Sequence, residues 1–166
     1  MTQQLSIFDS DSAKHRSLWK LCVDGAARNN PGPAGAGIYI VKDGKPEFQQ
    51  GYYLGSKTNN QAEYLALIIG LMIIVERMNV HDHVEIISDS QLLIRQFQGV
   101  YKVRNADLIT LFQAAKKVAS LISHSTTHVL REHNSQADKM ANEGIDKKVK
   151  VPDEYLKKLA SFSIVL

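Results

Sequence analysis

Three runs decide the fold: Leu18-Trp19-Lys20-Leu21-Cys22-Val23-Asp24-Gly25-Ala26, then Gly35-Ala36-Gly37-Ile38-Tyr39-Ile40-Val41, then Phe48-Gln49-Gln50-Gly51-Tyr52-Tyr53-Leu54. They are rich in β-branched, aromatic and other apolar residues and are bounded by turn formers. Asp43-Gly44 lies between the second and third, and an Asp-Gly pair between such runs is a hairpin signal. The three runs read as an antiparallel meander. Downstream the period changes. Residues 60–78 carry a long apolar pattern with strong helix formers, 84–88 form a short β-branched strand, 90–98 and 106–121 read as helices, 126–130 as a strand and 135–148 as a helix. The order βββαβααβα predicts an α/β fold. Its five-stranded mixed sheet joins the meander to parallel strands reached through helical crossovers, with helices on both faces.

Outward from that core, the chain of 166 residues, 44% of them apolar, suits one packed domain. We assign it residues 18–148, with a flexible tail at 1–17 and an extension at 149–166. The tail is polar apart from Leu5, Ile7 and Phe8 and cannot bury a core. The end of the extension, 161–166, is an apolar run expected either to add an edge strand or to pack on the domain. The single cysteine, Cys22, has no disulfide partner and reads as a small core hydrophobe, in a protein of a reducing compartment or in a chain indifferent to oxidation. No apolar stretch approaches the roughly 20 residues of a membrane span, and no signal-peptide pattern opens the chain. A cytoplasmic monomer without membrane contact is expected. The net charge of +3 permits a polyanionic partner without demanding one. Lys116-Lys117 and Lys147-Lys148 read as solvated helix faces.

Four acids stand near strand ends or helix starts: Asp24, Glu63, Asp89 and Asp138. Each has an ordinary explanation. Asn60–Glu63 and Ser135–Asp138 have capping-box spacing, Asp89 precedes a helix that Ser90 can cap, and Asp24 before Gly25 suits a turn. Capping does not explain why all four fall at one end of the predicted sheet, beyond the carboxyl ends of its parallel strands. Like charges gathered there call for cations, and all-oxygen ligands suit Mg2+.

The residues around the acids carry a resemblance. Asp24-Gly25-Ala26 with Asn30-Pro31-Gly32-Pro33-Ala34-Gly35, Thr58-Asn59-Asn60-Gln61-Ala62-Glu63, Ser88-Asp89-Ser90-Gln91 and Ala137-Asp138-Lys139-Met140-Ala141-Asn142 resemble type 1 ribonuclease H in order and spacing. The match covers roughly residues 18–147, and four motifs in order are far more specific than any one. The resemblance implies an endoribonuclease that hydrolyses the RNA strand of an RNA/DNA hybrid with two Mg2+ ions, or Mn2+, leaving 5′-phosphate and 3′-hydroxyl ends. It implies that Asp24 bridges the ions, that Glu63 and Asp89 complete the ion near the leaving group, and that Asp138 holds the ion that activates water. Gly25 backbone, Asn59, Asn60, Glu63 and Gln91 would read the 2′-hydroxyl. Asn30 and Thr58 would grip the DNA strand. Turn and cap roles for Asn30, Asn59 and Asn60 can coexist with these.

Two departures from the better-known bacterial pattern bear on substrate grip. Between residues 90 and 121 there is no room for an extra basic helix and loop, and only Lys102 and Arg104 offer local positive charge, so binding should be salt-sensitive. The link Arg131-Glu132-His133-Asn134 is short where relatives place a mobile histidine. His133 is a candidate for proton transfer or product release, and Arg131 for substrate contact, while His128 reads as strand packing. This shorter Arg-Glu form resembles archaeal and some bacterial branches of the family, for which double-stranded RNA is a further possible substrate. Competing readings are a nuclease of the same superfold that cuts DNA or structured RNA, and a non-catalytic hybrid-binding module. Finally, Gln4-Leu5-Ser6-Ile7-Phe8 resembles the short motif that docks bacterial replication and repair proteins on the sliding clamp, with Gln4, Leu5 and Phe8 as the contacts.

Overall fold

The computed structural model describes residues 15–166, so the docking motif at Gln4, Leu5 and Phe8 lies outside the described residues. Strands β1 (Leu18–Ala27), β2 (Gly32–Lys42) and β3 (Lys45–Lys57) form the meander. They are followed by α1 (Asn59–Val75), β4 (His83–Ser88), α2 (Gln91–Phe97), α3 (Ala106–Ala119), β5 (His124–His128), α4 (Ser135–Lys147) and α5 (Asp153–Ser161). The sheet order is β3-β2-β1-β4-β5. Pairing is antiparallel within the meander and parallel for β1 with β4 and β4 with β5. The mixed five-stranded sheet read from the sequence is present.

Side chains alternate across β1 because successive strand residues point to opposite faces. Leu21 and Val23 meet Gly70 of α1, which places Asp24 on the other face. Helix α1 is buried from Tyr64 through Ile74. It lies between β1 and β2 on one side and α3 on the other, and a helix apolar all round belongs in such a position. Helix α4 covers the opposite face of the meander. Its seat is glycine. Gly37 pairs with Gly51 across β2 and β3; a Cβ at Gly37 would stand 1.9 Å from the Ala137 carbonyl oxygen, and one at Gly51 1.8 Å from that of Met140. Only residues without a side chain let the helix backbone rest on the strand backbone.

The amino-terminal end of β1 is pinned by Asp82. This carboxylate is 1% exposed and accepts hydrogen bonds from Ser17 N (3.0 Å), Trp19 Nε1 (2.9 Å) and Asn79 N (2.9 Å). Burial pushes its pKa up, but the donors outweigh burial and hold it below the ordinary carboxylate value. Asp82→Ala would orphan three donors, so urea unfolding is expected to show a loss of about 3 kcal/mol. A depressed carboxylate contributes fully above its unfolded pKa of about 4, and that contribution disappears as pH falls through the folded value. The gap between wild type and variant should therefore narrow below about pH 4. A gap that persisted unchanged in acid would contradict the assignment.

The structure also corrects several expectations. The last strand is His124–His128 rather than 126–130, because parallel pairing with β4 matches Val84 to His124 and sets the register. His128 is exposed instead of packed, and its Nε2 lies 3.2 Å from the Asp89 carbonyl oxygen. Cys22 is only half-buried; burial raises its thiol to about 11. Lys116 and Lys117 are exposed as a solvated helix face should be, and the Lys116 ammonium in addition donates to the Phe97 carbonyl at 3.2 Å and lies 4.5 Å from the Phe97 ring centroid. Beyond α4 the chain forms an unforeseen helix, α5, whose Tyr155 and Leu159 enter the same core as Val151 and Ile164. Tyr155 donates to Glu76 at 3.1 Å, and Lys158 pairs with that same carboxylate. Residues 161–166 thus pack on the domain and add no strand. The β3 edge is covered locally, where Tyr53 N donates to the Val149 carbonyl at 2.7 Å. Among the described residues no helix is long and apolar enough to cross a membrane.

Candidate active site

Parallel pairing of β1 with β4 ends at Cys22 and Ile87, whereas β1 stays paired with β2 as far as Ala27. The two parallel strands part there. Such a split beyond the carboxyl ends of parallel strands is where open α/β sheets hold ligands. Asp24 lies in β1 just past the last pairing with β4, and Asp89 directly follows β4.

Glu63 comes from the start of α1, and it is free because another residue caps that helix. Thr58 is the N-cap: its Oγ1 accepts from Gln61 N at 3.2 Å, and the Gln61 side chain accepts from Thr58 N at 2.9 Å. The capping box expected at Asn60–Glu63 thus forms two residues earlier, and Glu63 turns to Asp24 instead. Gly25 permits the approach; a Cβ there would stand 2.1 Å from Glu63 N. Asp138 projects from the first turn of α4, where Arg131 Nη2 donates to its Oδ1 at 3.1 Å. The capping box expected at Ser135–Asp138 does not form either. Asn134 occupies the N-cap position without a side-chain cap bond, and its Nδ2 donates to the Val23 carbonyl and to Asp89 Oδ1, both at 2.9 Å.

The four acids converge as read from the sequence and line one cleft of about 350 Å3 with Gly25, Arg28, Asn59, Arg131 and Asn142. Their electrostatics are those of crowded anions. Asp24 is 6% exposed; burial, then the charges of Asp89 and Asp138, raise its pKa to about 7. Glu63 is raised well above the ordinary range by burial and by Asp24 and Asp89, against a hydrogen bond from Gly25 N. Glu63 Oε2 is enclosed without a hydrogen-bond partner. Among the described residues no three His, Cys, Asp or Glu side chains are gathered tightly enough to grip a cation alone. An open, all-oxygen, mutually repelling set with one enclosed unpartnered oxygen still fits Mg2+ or Mn2+, hard cations that keep waters and take further oxygens from a substrate phosphate.

The remaining candidates divide. Asn30 Oδ1 accepts from Asn59 N and Asn59 Oδ1 from Ala27 N, each at 3.0 Å, which ties the turn after β1 to the start of α1. Only Asn59 of this group lines the cleft. Asn60 and Gln91 are exposed. His133 is exposed outside the cleft lining, its Nε2 4.0 Å from Glu132 Oε1, on a 3-10 turn at Arg131–His133. Sequence reasoning missed Arg28, which pairs with Asp146 at 2.6 Å; Asn142, whose amide donates to the Asp138 carbonyl at 3.0 Å; and the inward turn of Asn134. An Asn before a helix reads as a cap, which hides any other role. A larger groove of about 710 Å3 lies between β3 and the C-terminal segment, lined by Leu54, Leu156 and Ile164, and contains none of the four acids.

Residues 22–144 match the reverse transcriptase-like family model. The chain is 39% identical over 125 residues to a ribonuclease HI of Halobacterium salinarum, covering 74% of this chain and 62% of that protein. It thus spans 62% of that relative's length, and 34% of the length of mycobacterial relatives. The crystal structure of RNase H1 from H. salinarum superposes with a TM-score of 0.73 at 36% identity, covering 80% of this chain and 99% of that one. LC11-RNase H1, solved in complex with an RNA/DNA hybrid, gives a TM-score of 0.73 at 37% identity, with 80% and 98% covered. With the fold, the four motifs and the family match in agreement, this chain belongs to the type 1 ribonuclease H family, in a short form in which residues 98–105 alone link α2 to α3.

Proposed function

We propose that this protein is a metal-dependent endoribonuclease that hydrolyses the RNA strand of RNA/DNA hybrids and leaves 5′-phosphate and 3′-hydroxyl ends. The observation that carries the reading is the convergence of Asp24, Glu63, Asp89 and Asp138 on the split between β1 and β4. Two Mg2+ or Mn2+ ions held by these four carboxylates would supply a water nucleophilic at neutral pH and charge stabilisation at the leaving oxygen. The chain's own part is placement. Asp24 is buried, half-buried Glu63 presents an enclosed oxygen without a hydrogen-bond partner, Arg131 fixes Asp138, and the first turn of α1 lies over β1 at Gly25.

Recognition of RNA falls to the cleft rim. Asn59 is anchored through its Oδ1, which leaves its Nδ2 hydrogens for substrate, and Asn60 and Gln91 present unshielded amides. Amides of this kind donate to and accept from a 2′-hydroxyl. Asn30 and Thr58, on the turn and cap beside α1, suit a phosphate of the DNA strand, and exposed Arg131 suits a substrate phosphate. For His133 we assign product release rather than the chemical step, since a proton relay has to lie within hydrogen-bond reach of the reacting group. The tail residues Gln4, Leu5 and Phe8 are our proposal for docking on a sliding clamp, a question separate from the chemistry, and a cytoplasmic monomer is the form proposed to act.

The test is cleavage of four labelled substrates, RNA/DNA hybrid, double-stranded RNA, double-stranded DNA and single-stranded RNA, with Mg2+ or Mn2+. Cleavage confined to the RNA strand of the hybrid is expected; cutting of double-stranded RNA would widen the substrate class, and no cleavage of the hybrid would end the reading. Alanine at Asn59, Asn60 and Gln91 together is expected to reduce discrimination between an RNA and a DNA strand by about tenfold or more, one to two hydrogen bonds' worth. Competition between the two substrates measures it, and unchanged discrimination would place recognition elsewhere.

A further inference from the structure

We infer that Asn134 is a positioning residue for Asp89, joining the parted ends of β1 and β4. The inference rests on the ribonuclease reading for one arm of its test and on geometry alone for the other. An asparagine before a helix normally turns its side-chain oxygen onto the free N–H groups of the first turn. Asn134 does not: it is 2% exposed, makes no cap bond, and its Oδ1 is enclosed without a partner. Its amide nitrogen instead donates twice at 2.9 Å, to the Val23 carbonyl and to Asp89 Oδ1. Val23 follows the last β1 residue that pairs with β4. The amide therefore bridges the split between the strands where their own pairing stops.

An unpaired buried oxygen is unfavourable, and native structures keep one where the rest of the group meets a requirement. Here the requirement is the orientation of an acid that β4 releases into a loop before α2, whose start is capped by Ser90. An amide suits the task better than a charged donor. Arg131, 78% exposed at the rim, places a full positive charge on Asp138; a neutral N–H fixes Asp89 and leaves its negative charge for a cation. A carboxylate at position 134 would instead add another anion to a site that already repels itself.

The experiment uses the full chain with Asn134→Ala and Asn134→Asp, and measures kcat and KM on the hybrid at saturating Mg2+, Mn2+ affinity by calorimetry without nucleic acid, and Tm. Partners that orient metal ligands typically influence affinity or activity by about 10–100-fold, so kcat is expected to fall by about that factor and the Kd for Mn2+ to rise about tenfold, while KM stays within about twofold. Unchanged kcat and Mn2+ affinity in folded Asn134→Ala would overturn the inference. So would a kcat loss that follows Tm while Mn2+ affinity is unchanged, which is the signature of a scaffold residue. If Asn134→Ala does not fold, Asn134→Asp decides on kcat against Tm, because its added carboxylate itself attracts Mn2+, and failure of both to fold overturns positioning in favour of a purely structural role. Should the wild type leave hybrids intact, the ribonuclease reading fails, and the Mn2+ comparison still decides the role of Asn134.

Discussion

Asp24→Asn is expected to abolish cation-dependent hybrid cleavage, by at least about a thousandfold, and at the same time to stabilise the cation-free protein. On the proposed mechanism activity goes because an oxygen offered to the cations loses its charge. Stability rises because Asp24, 6% exposed, is held at a pKa of about 7 by burial and by the charges of Asp89 and Asp138. A raised carboxyl destabilises the fold only when ionised. The penalty is absent below the unfolded pKa of about 4, grows as pH rises, and is complete above the folded value. Asparagine carries no such penalty. Urea unfolding in chelator should therefore show little difference near pH 4 and a variant more stable by about 1–3 kcal/mol at pH 8. Near-normal turnover would sink the ligand assignment, and a variant less stable at pH 8 would sink the electrostatic one.

Gly37→Ala is expected to be among the most damaging single-methyl changes in the protein. The new Cβ would stand 1.9 Å from the Ala137 carbonyl oxygen, backbone against backbone, with no flexible side chain to give way. Helix α4 must lift, at about 3 kcal/mol or more. Because Asp138 and Asn134 travel with that helix, turnover should fall further than the folded fraction does. Gly44→Ala is the control. Gly44 sits in the hairpin turn at φ 80° with nothing within 4 Å of a Cβ, so alanine there brings backbone strain of about 1 kcal/mol and leaves the site alone. Urea unfolding and turnover of the two variants decide the matter; similar losses for both would mean that α4 does not depend on its glycine seat.

What the sequence disclosed, and what it hid, follows from how local each signal is. The meander, the crossover order and the four acids were legible because period, turn residues and charge at strand ends are local features. Helix starts were harder. Thr58, Asn59 and Asn60 can all cap, and only the packed structure selects Thr58 and releases Glu63. Asn134 was concealed in the same way, since its partners are Val23 and Asp89 rather than the helix it precedes. β5 lies two residues earlier than the apolar Val129 and Leu130 suggest, because an edge strand needs no apolar residues: His-Ser-Thr-Thr-His pairs well with β4. Helix α5 offers just two buried positions, Tyr155 and Leu159, too few for a periodic signal.

The bond from Asn134 to Val23 spans 111 residues of sequence. Asp24 belongs to the first strand and Asp138 to the fourth helix, so no segment of the chain carries the acid set by itself. Closing so long a loop is entropically unfavourable and is compensated only by the assembled core. The four-acid constellation is therefore a property of the cooperative unit: a molecule in which α4 has come away is a sheet with three acids and no fourth, and it regains the set only when the whole topology closes.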